Sequence, residues 1–353
     1  MIRHADLFSQ IVDTDNILRA HRNARKGKSH YREVKMVNQD PEKYAQIIQD
    51  SLLSKTFTTS PYQIKTIHEP KTRDIYKLPY FPDRIIHHAV MQIIQPIWDN
   101  VFIYDLYSAI PGKGLHAGSY RLRKFMEDNE GTRYCLKFDI SKFYPSMDHE
   151  YLIDAIQRKI KCKDTLWLLE DIIHSTSGVP IGNYLSQYFG NIYLNRFDHW
   201  IKEDKQMKYY LRYCDDGVIL HTDKSVLKTL LDEIKEFLEP TKLKLNPKTS
   251  IFPVDKCGID FLGYRHFRDY TLLRKSSARR FKKRIGKIRS RSEHKRPESV
   301  ISSVMSSIGW LKHCNSHNLL SKTVLDDEII MNMMDVKSFE MGISNPLRRL
   351  VIS

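Results

Sequence analysis

The amino-acid sequence predicts an α+β fold, in which strands and helices mix without the regular strand–helix–strand order of a parallel sheet. Three observations support this class. Apolar and polar residues alternate across residues 134–140, and two apolar runs enclose a polar tip across residues 208–221. Residues 83–98 and 225–240 instead place their apolar residues at helical spacing.

The amino-terminal part, residues 1–130, is predicted to be mostly helical, with basic loops such as RNARKGKSHYR. Its clearest helix covers residues 83–98, and Asp83 is the predicted N-cap because it precedes the first apolar position. The glycine-rich residues 110–118 lack the spacing of a Walker loop. They predict a tight connection that can approach a phosphate backbone.

The alternating segment that begins at Tyr134 predicts a strand with Asp139 on the face opposite to the apolar row. Pro145 ends this segment, and a helix is predicted to follow from Asp148.

Residues 208–221 predict a hairpin in which Asp215 and Asp216 precede Gly217. An Asp-Gly pair between apolar runs favours a tight turn, so these acids have a purely structural interpretation. They also have a chemical one, because hard divalent cations prefer carboxylate oxygen. A third carboxylate on a neighbouring strand would favour the chemical interpretation.

Residues 258–267 predict a short strand pair, after which the chain becomes strongly basic. Residues 274–296 predict a basic helix with a thin apolar stripe, and residues 301–320 predict a second helix pair. Residues 322–353 show no recognisable pattern.

The composition of the 353 residues narrows the class of protein. The formal net charge is +15, which indicates a polyanionic partner such as nucleic acid. Five scattered cysteines without a C-x-x-C pair argue against structural zinc and a disulfide framework, and favour a cytoplasmic protein. No run of about 18 apolar residues occurs and no apolar leader segment is visible, so neither a membrane span nor secretion is expected.

Asp139 near the end of one strand and the Asp215–Asp216 pair on a hairpin form the kind of set that two-metal phosphoryl transfer requires. Lys71, Arg73 and Lys248 offer cations for a triphosphate.

Five segments occur in an order and spacing that resemble a reverse transcriptase: KFDISKFYPS, GVPIGNYLSQYFGNIYL, RYCDDGVIL, LKLNPKTS and GIDFLGYRHF. The resemblance covers most of the chain, from about Arg73 to Leu320. It implies a right-hand polymerase with fingers and palm in residues 1–267, and a basic helical thumb in residues 268–321. Residues 322–353 would be a tail of unknown role.

The resemblance also implies a catalytic set. Asp139 and Asp215 would be the main ligands of two Mg²⁺ ions, with Mn²⁺ as an alternative and the backbone of Ile140 nearby. Asp216 would be the third carboxylate, and Lys248 would neutralise or protonate the pyrophosphate.

A second set of residues would bind the incoming dNTP: Lys71, Arg73, Tyr144, Ile181, Gly182 and Gln187. Lys71 and Arg73 would grip the triphosphate, although solvated loop charges are the alternative. Tyr144 would be a steric gate against the ribose 2′-hydroxyl, with simple packing as the alternative.

A third set would contact the primer and template. Its members are Phe261, Leu262, Gly263 and Tyr264, which would position the primer end, together with Arg279, Arg280 and Lys283 on the basic helix.

One departure from the common family pattern is informative. Most reverse transcriptases carry Gln-Gly in the dNTP-pocket motif, whereas this chain has Ile181-Gly182 followed by Ser186-Gln187. This form resembles the reverse transcriptases of diversity-generating retroelements. It implies an enzyme, encoded by a bacterium or phage, that copies a template RNA into cDNA with errors at adenines. The implied partners are the RNA–cDNA duplex and a small basic pentameric accessory variability protein.

Two alternatives remain open. A phage-defence or retron-like reverse transcriptase would keep the chemistry and change its biological role. A non-catalytic RNA-binding scaffold is the other, but a scaffold has no need to hold three mutually repelling carboxylates together.

Overall fold

The computed structural model describes residues 3–68, 72–290 and 296–348. It divides into two compact units, of which the first comprises residues 1–114, 136–220 and 224–251 and the second comprises residues 115–135, 221–223 and 252–353. The sequence-based boundaries of fingers and palm (1–267), thumb (268–321) and tail (322–353) stay a prediction.

Helices dominate the described chain. In chain order they are α1 (Phe8–Val12), α2 (Thr14–Ala24), α3 (Arg32–Gln39), α4 (Pro41–Leu53), α5 (Ile85–Asp99), α6 (Leu115–Met126), α7 (His149–Gln157), α8 (Lys163–His174), α9 (Tyr184–His199), α10 (Lys224–Leu238), α11 (Val254–Cys257), α12 (Lys275–Arg289), α13 (Pro297–Ile308), α14 (His317–Leu320) and α15 (Glu328–Glu340).

The strands form three small sheets. In chain order they are β1 (Gln63–Ile67), β2 (Arg73–Lys77), β3 (Tyr134–Asp139), β4 (Tyr209–Tyr213), β5 (Asp216–His221), β6 (Ser250–Pro253), β7 (Ile259–Phe261), β8 (Tyr264–His266) and β9 (Thr271–Leu273). The sheet orders are β1-β2, β4-β5-β3-β6 and β7-β8-β9. The four-stranded sheet therefore places β3, which carries Asp139, beside the β4–β5 hairpin.

The helices of the first unit pack on one another. α2 packs on α4 and α5, and α9 packs on α5 and α7. α9 is buried on most of its surface, since aromatic and aliphatic residues occupy nearly every side of it. A helix that is apolar on nearly every side lies inside the unit, where its few polar side chains can bind buried groups of neighbouring elements.

The second unit has its own apolar core, formed by one face each of α12 and α13 with residues 324–347. Phe281, Ile285 and Ile288 supply the α12 face, while its Lys and Arg side chains remain exposed. Some of the described residues after 321, a region with no recognisable sequence pattern, thus belong to the core of this unit: Ile330 and Met334 of α15 are fully buried in it.

The structure confirms several elements that the sequence predicts. The predicted strand at 134–140 is β3, the helix near Asp148 is α7 with Asp148 as its N-cap, and the helix at 225–240 is α10. Among the described residues, no helix combines the length and the apolar character needed to span a bilayer.

Other predictions were wrong. Asp83 does not cap α5, which begins after Arg84; its buried carboxylate accepts a hydrogen bond from the Ser60 backbone N–H at 2.9 Å. The loop predicted at 110–118 ends early because α6 begins at Leu115. The β1–β2 hairpin lies in a region that was expected to be helical.

Candidate active site

The turn between β4 and β5 presents one acid at its tip. Tyr213 pairs with Asp216 across the hairpin, so Cys214 and Asp215 form a two-residue turn. The Asp216-Gly217 turn suggested by the sequence was wrong, because Gly217 lies within β5 and pairs with Arg212. Asp215 therefore occupies the tip and Asp216 begins the strand.

Asp139 ends β3 and is fixed by a loop that follows α10. Its backbone carbonyl accepts from the Asn246 N–H at 2.7 Å, and its Oδ2 accepts from Asn246 Nδ2 at 2.9 Å. Next to it, Ile140 is buried and bridges to Leu245. One Asn thus orients both the strand end and the carboxylate of Asp139.

The carboxyl groups of Asp139 and Asp215 lie within hydrogen-bonding reach of each other. Burial, the charge of Asp216 and the charge of Asp139 raise the pKa of Asp215 to about 6. Mutual repulsion of this kind marks a position where a divalent cation would be stabilised.

Within the described ranges, no three or more His, Cys, Asp or Glu side chains are grouped closely enough to hold an ion. The residues nevertheless fit Mg²⁺. This ion is usually held by one or two carboxylates, with water and substrate phosphates as its other ligands. Asp139 and Asp215 supply such a pair.

Tyr144 lies beside this pair. Its ring packs near Phe143, and its hydroxyl is in hydrogen-bonding contact with the Cys214 thiol. Burial, followed by the proximity of Cys214 and Asp215, raises the pKa of the Tyr144 hydroxyl. The structure therefore brings the candidate steric gate to the turn that carries Asp215.

The pocket motif contacts the β1–β2 hairpin. The carbonyl of Ile181 accepts a hydrogen bond from the Tyr76 N–H at 2.8 Å, and Gly182 follows with φ of +118°. Gln187 is exposed on the first turns of α9. These contacts place Ile181 and Gly182 against β2.

Two of the three candidate triphosphate cations lie within the described residues, and both are exposed. Arg73 is exposed at the start of β2, three residues before Tyr76, and Lys71 lies outside the described residues. Lys248 is exposed in the loop of Asn246, where its backbone N–H donates to Asn246 Oδ1 at 3.0 Å.

The predicted primer segment lies in the second unit. Leu262 and Gly263, with φ of +53° and +85°, form the two-residue turn between β7 and β8. Phe261 and Tyr264 flank it and are fully buried. The Tyr264 hydroxyl donates to the Trp310 carbonyl at 3.0 Å, which links the turn to the segment that follows α13.

The remaining candidates, Arg279, Arg280 and Lys283, are exposed on α12. Sequence reasoning missed Asn246. The signal was the Asn-Pro pair directly before Lys248, which favours a turn.

Comparisons with known proteins identify the family of this chain. Residues 65–266 match the family described as reverse transcriptase (RNA-dependent DNA polymerase). Protein YkfC of Escherichia coli strain K12 is 26% identical over 272 residues, covering 63% of this chain and 71% of that protein. The group II intron-encoded protein LtrA of Lactococcus lactis is 29% identical over 177 residues, covering 46% of this chain but only 29% of that protein.

Among solved structures, apo telomerase from Candida tropicalis is similar with a TM-score of 0.48 and 14% identity, covering 75% of this chain and 60% of that chain. The family match covers more than half of this chain and includes β3, α9 and the β4–β5 hairpin. The predicted α+β right-hand polymerase fold and the predicted RNA-directed DNA polymerase are confirmed at the level of the family. The chain belongs to the reverse transcriptase family.

Proposed function

We propose that this protein copies a template RNA into cDNA by two-metal nucleotidyl transfer, and that it does so with errors at template adenines. The observation that supports the first part is the contact between the carboxyl groups of Asp139 and Asp215 beside Tyr144. No structural role requires two partly buried, mutually repelling acids to lie together, one at the end of a strand and one in a turn.

In this proposal Asp139 and Asp215 hold two Mg²⁺ ions with the Ile140 backbone nearby and Asp216 as the third carboxylate, and Mn²⁺ can replace Mg²⁺. When bound, the ions supply positive charge that activates the primer 3′-hydroxyl and stabilises the leaving pyrophosphate. Asn246 keeps the Asp139 carboxylate oriented toward this position.

The other residues bind and select the nucleotide. The Tyr144 ring excludes a ribose 2′-hydroxyl, so that dNTPs are preferred. Lys71, Arg73 and Lys248 attract the triphosphate and then the pyrophosphate. The RNA–cDNA duplex contacts the turn of Phe261–Tyr264 and the cations of α12 through its phosphates.

The error-prone part of the proposal rests on Ile181. Its backbone carbonyl is fixed by Tyr76, and its side chain has no amide that could hydrogen-bond the incoming nucleotide. Without that bond, the geometry of the base pair is tested less strictly. A diversity-generating retroelement is the biological setting we propose, in a bacterial cytoplasm and with a small basic pentameric accessory protein.

Primer extension on an RNA template with Mg²⁺ and dNTPs tests the polymerase. Asp215→Asn should abolish cDNA synthesis and leave RNA binding intact, because it removes a charge from the site and keeps the shape of the side chain. Asp232→Asn is the matched control, since Asp232 is an exposed acid on α10. Undiminished synthesis by Asp215→Asn would overturn the metal assignment.

Sequencing the cDNA tests the error spectrum. Errors concentrated at adenines, reduced in Ile181→Gln but kept in the apolar control Ile181→Val, would support the diversifying role. Accurate cDNA from the unaltered protein would contradict that role. It would favour a retron-like or phage-defence enzyme, or one that acts like the intron-encoded relative.

A further inference from the structure

Cys214, the residue before Asp215, is held at each of its polar groups. Its backbone N–H donates to Ser108 Oγ at 2.9 Å, and its carbonyl accepts from Arg212 Nη1 at 2.7 Å. Its thiol is in hydrogen-bonding contact with Ser108 and Tyr144. These contacts stabilise Cys214 at a φ of +53°. This left-handed conformation is unfavourable for residues other than glycine.

Arg212 is completely buried, and Asp198 of α9 fixes its guanidinium group. Arg212 Nε donates to Asp198 Oδ1 at 2.7 Å and Nη2 donates to Oδ2, which leaves Nη1 directed at the Cys214 carbonyl. The Tyr210 hydroxyl donates to the same carboxylate at 2.6 Å. Only a planar fork with several donors can make these contacts together, and the ammonium group of a lysine cannot.

Ser108 is anchored to the same helix. Its Oγ donates to Asn191 Oδ1 at 3.0 Å, and Asn191 Nδ2 donates to the Ser108 carbonyl at 2.8 Å. Both side chains are almost completely buried. Asn191 and Asp198 are seven residues apart, which is two helical turns, so they lie on one face of α9.

We propose that Arg212 and Ser108 are positioning residues, which hold the left-handed turn at Cys214 so that the Asp215 carboxylate stays against Asp139. The inference deepens the proposed function, on which its catalytic readout rests. Neither residue touches a substrate in this proposal. Both act through the backbone of Cys214.

A double-mutant cycle tests this role. Arg212→Lys and Ser108→Ala are each made in the unaltered chain and in a Cys214→Gly chain, because glycine adopts a positive φ without strain. In the unaltered chain Arg212→Lys should lower kcat by about 100-fold, as expected when a catalytic group is misplaced. In the Cys214→Gly chain the loss should be about tenfold smaller, because the turn no longer depends on the guanidinium group.

Arg268→Lys is the matched control in both chains. Arg268 also makes several hydrogen bonds, to Asp255, Thr132 and the Met126 carbonyl, but it lies in the second unit. Its substitution should have the same effect in both chains. If Arg212→Lys also has equal effects in both chains, Arg212 supports the fold only and the proposal is overturned. If Arg212→Lys does not fold, as judged by circular dichroism, the milder Ser108→Ala decides the question in the same way.

Binding of Tb³⁺, detected by luminescence that nearby tyrosines sensitise, separates this inference from the proposed function. Arg212→Lys should weaken Tb³⁺ binding, and Cys214→Gly should restore part of it. This readout requires no turnover. If the unaltered chain makes no cDNA, the proposed function fails while the ion titration still tests the positioning role; unchanged Tb³⁺ affinity in Arg212→Lys and Ser108→Ala would overturn that role.

Discussion

A Cβ atom on Gly217 would lie 2.1 Å from Cζ of the Phe138 ring, a separation that two unbonded carbon atoms cannot adopt. Phe138 precedes Asp139 on β3, and Gly217 follows Asp216 on β5. The ring and the glycine therefore set the spacing between the two strands that carry the acids. Gly217→Ala should lower the free energy of unfolding by about 1–3 kcal/mol and reduce cDNA synthesis, because β5 must move away from β3.

Denaturant unfolding with Gly286→Ala as control checks the Gly217 prediction. Gly286 lies in α12 with open space around its Cα, so alanine there should stabilise the chain by about 0.5–1 kcal/mol. Adding Phe138→Leu to Gly217→Ala should recover part of the loss. An unchanged midpoint for Gly217→Ala would contradict the packing argument.

A second prediction concerns Gly182, where a Cβ would lie 2.8 Å from the Tyr76 carbonyl oxygen. Gly182→Ala should break the hydrogen bond between Tyr76 and Ile181 and raise the KM for dNTP by about tenfold, with a smaller change in kcat. Steady-state kinetics against Gly112→Ala provide the check. Gly112 also has a positive φ but open surroundings, so comparable effects of the two substitutions would show that contact with β2 is unimportant.

A third prediction concerns the fully buried His87. Burial, together with the charges of His88 and Arg84, lowers its pKa to about 3. The unfolded chain takes up a proton near pH 6.5, whereas the folded chain keeps His87 neutral. Its contribution to stability is therefore complete above about pH 6.5 and is lost as the pH falls toward 3.

Unfolding of the unaltered chain and of His87→Leu between pH 7 and pH 4 measures this contribution. The free energy of unfolding should depend less steeply on pH in the variant, by up to about 1.4 kcal/mol per pH unit. The reason is that the variant takes up one proton fewer on unfolding. His30→Leu, at an exposed position, is the control for replacing a histidine by leucine. Equal slopes for His87→Leu and the unaltered chain would refute the assignment.

A fourth prediction compares two residues of α15. Met334 is fully buried in the core of the second unit, whereas Phe339 is 87% exposed. Met334→Ala should lower the free energy of unfolding by about 2–5 kcal/mol, and Phe339→Ala should change it by less than about 0.5 kcal/mol. Equal effects in chemical denaturation would argue that residues after 321 are not part of this core.

A fifth prediction concerns the exposed face of α12. Replacing Arg280 and Lys283 by Gln should weaken RNA binding and reduce the slope of log K against log salt by about one for each phosphate that the variant no longer neutralises. Lys224→Gln with Lys228→Gln, two exposed cations of α10, is the charge-matched control. A slope that falls equally in both variants would indicate a general charge effect.

Local patterns in the sequence predicted β3, α7 and α10 well, because one face of each is apolar and the other is not. The β1–β2 hairpin was not predicted because most of its residues are exposed. With no buried face, its sequence need not alternate apolar and polar residues. The fully buried Ile330 and Met334 of α15 are flanked by apolar residues that face solvent, such as Ile329 and Val336, which hides the helical stripe.

For the candidate site, too, the sequence identified some features and missed others. Motif order was enough to select Asp139 and Asp215, but their contact depends on a pairing of strands that no local pattern encodes. The hydrogen bond from Asn246 to Asp139 could not be predicted either, because the two residues are more than 100 positions apart in the chain. Asp83 was wrongly predicted as an N-cap because a polar residue before an apolar run suggests one. In the structure its carboxylate accepts from the Ser60 backbone N–H instead.

Helix α9 begins two residues after Gly182 and carries Asp198 near its other end, where Asp198 binds Arg212, the residue that also donates to the Cys214 carbonyl beside Asp215. A single helix thus contributes both to the proposed nucleotide pocket and to the support of the turn that carries Asp215. A library that randomises the buried face of α9 to obtain a more accurate copying enzyme should therefore return mainly slower ones. Fidelity and turnover would then be linked traits in this protein, and a change aimed at fidelity alone is better directed at β2, whose Tyr76 donates its backbone N–H to the Ile181 carbonyl.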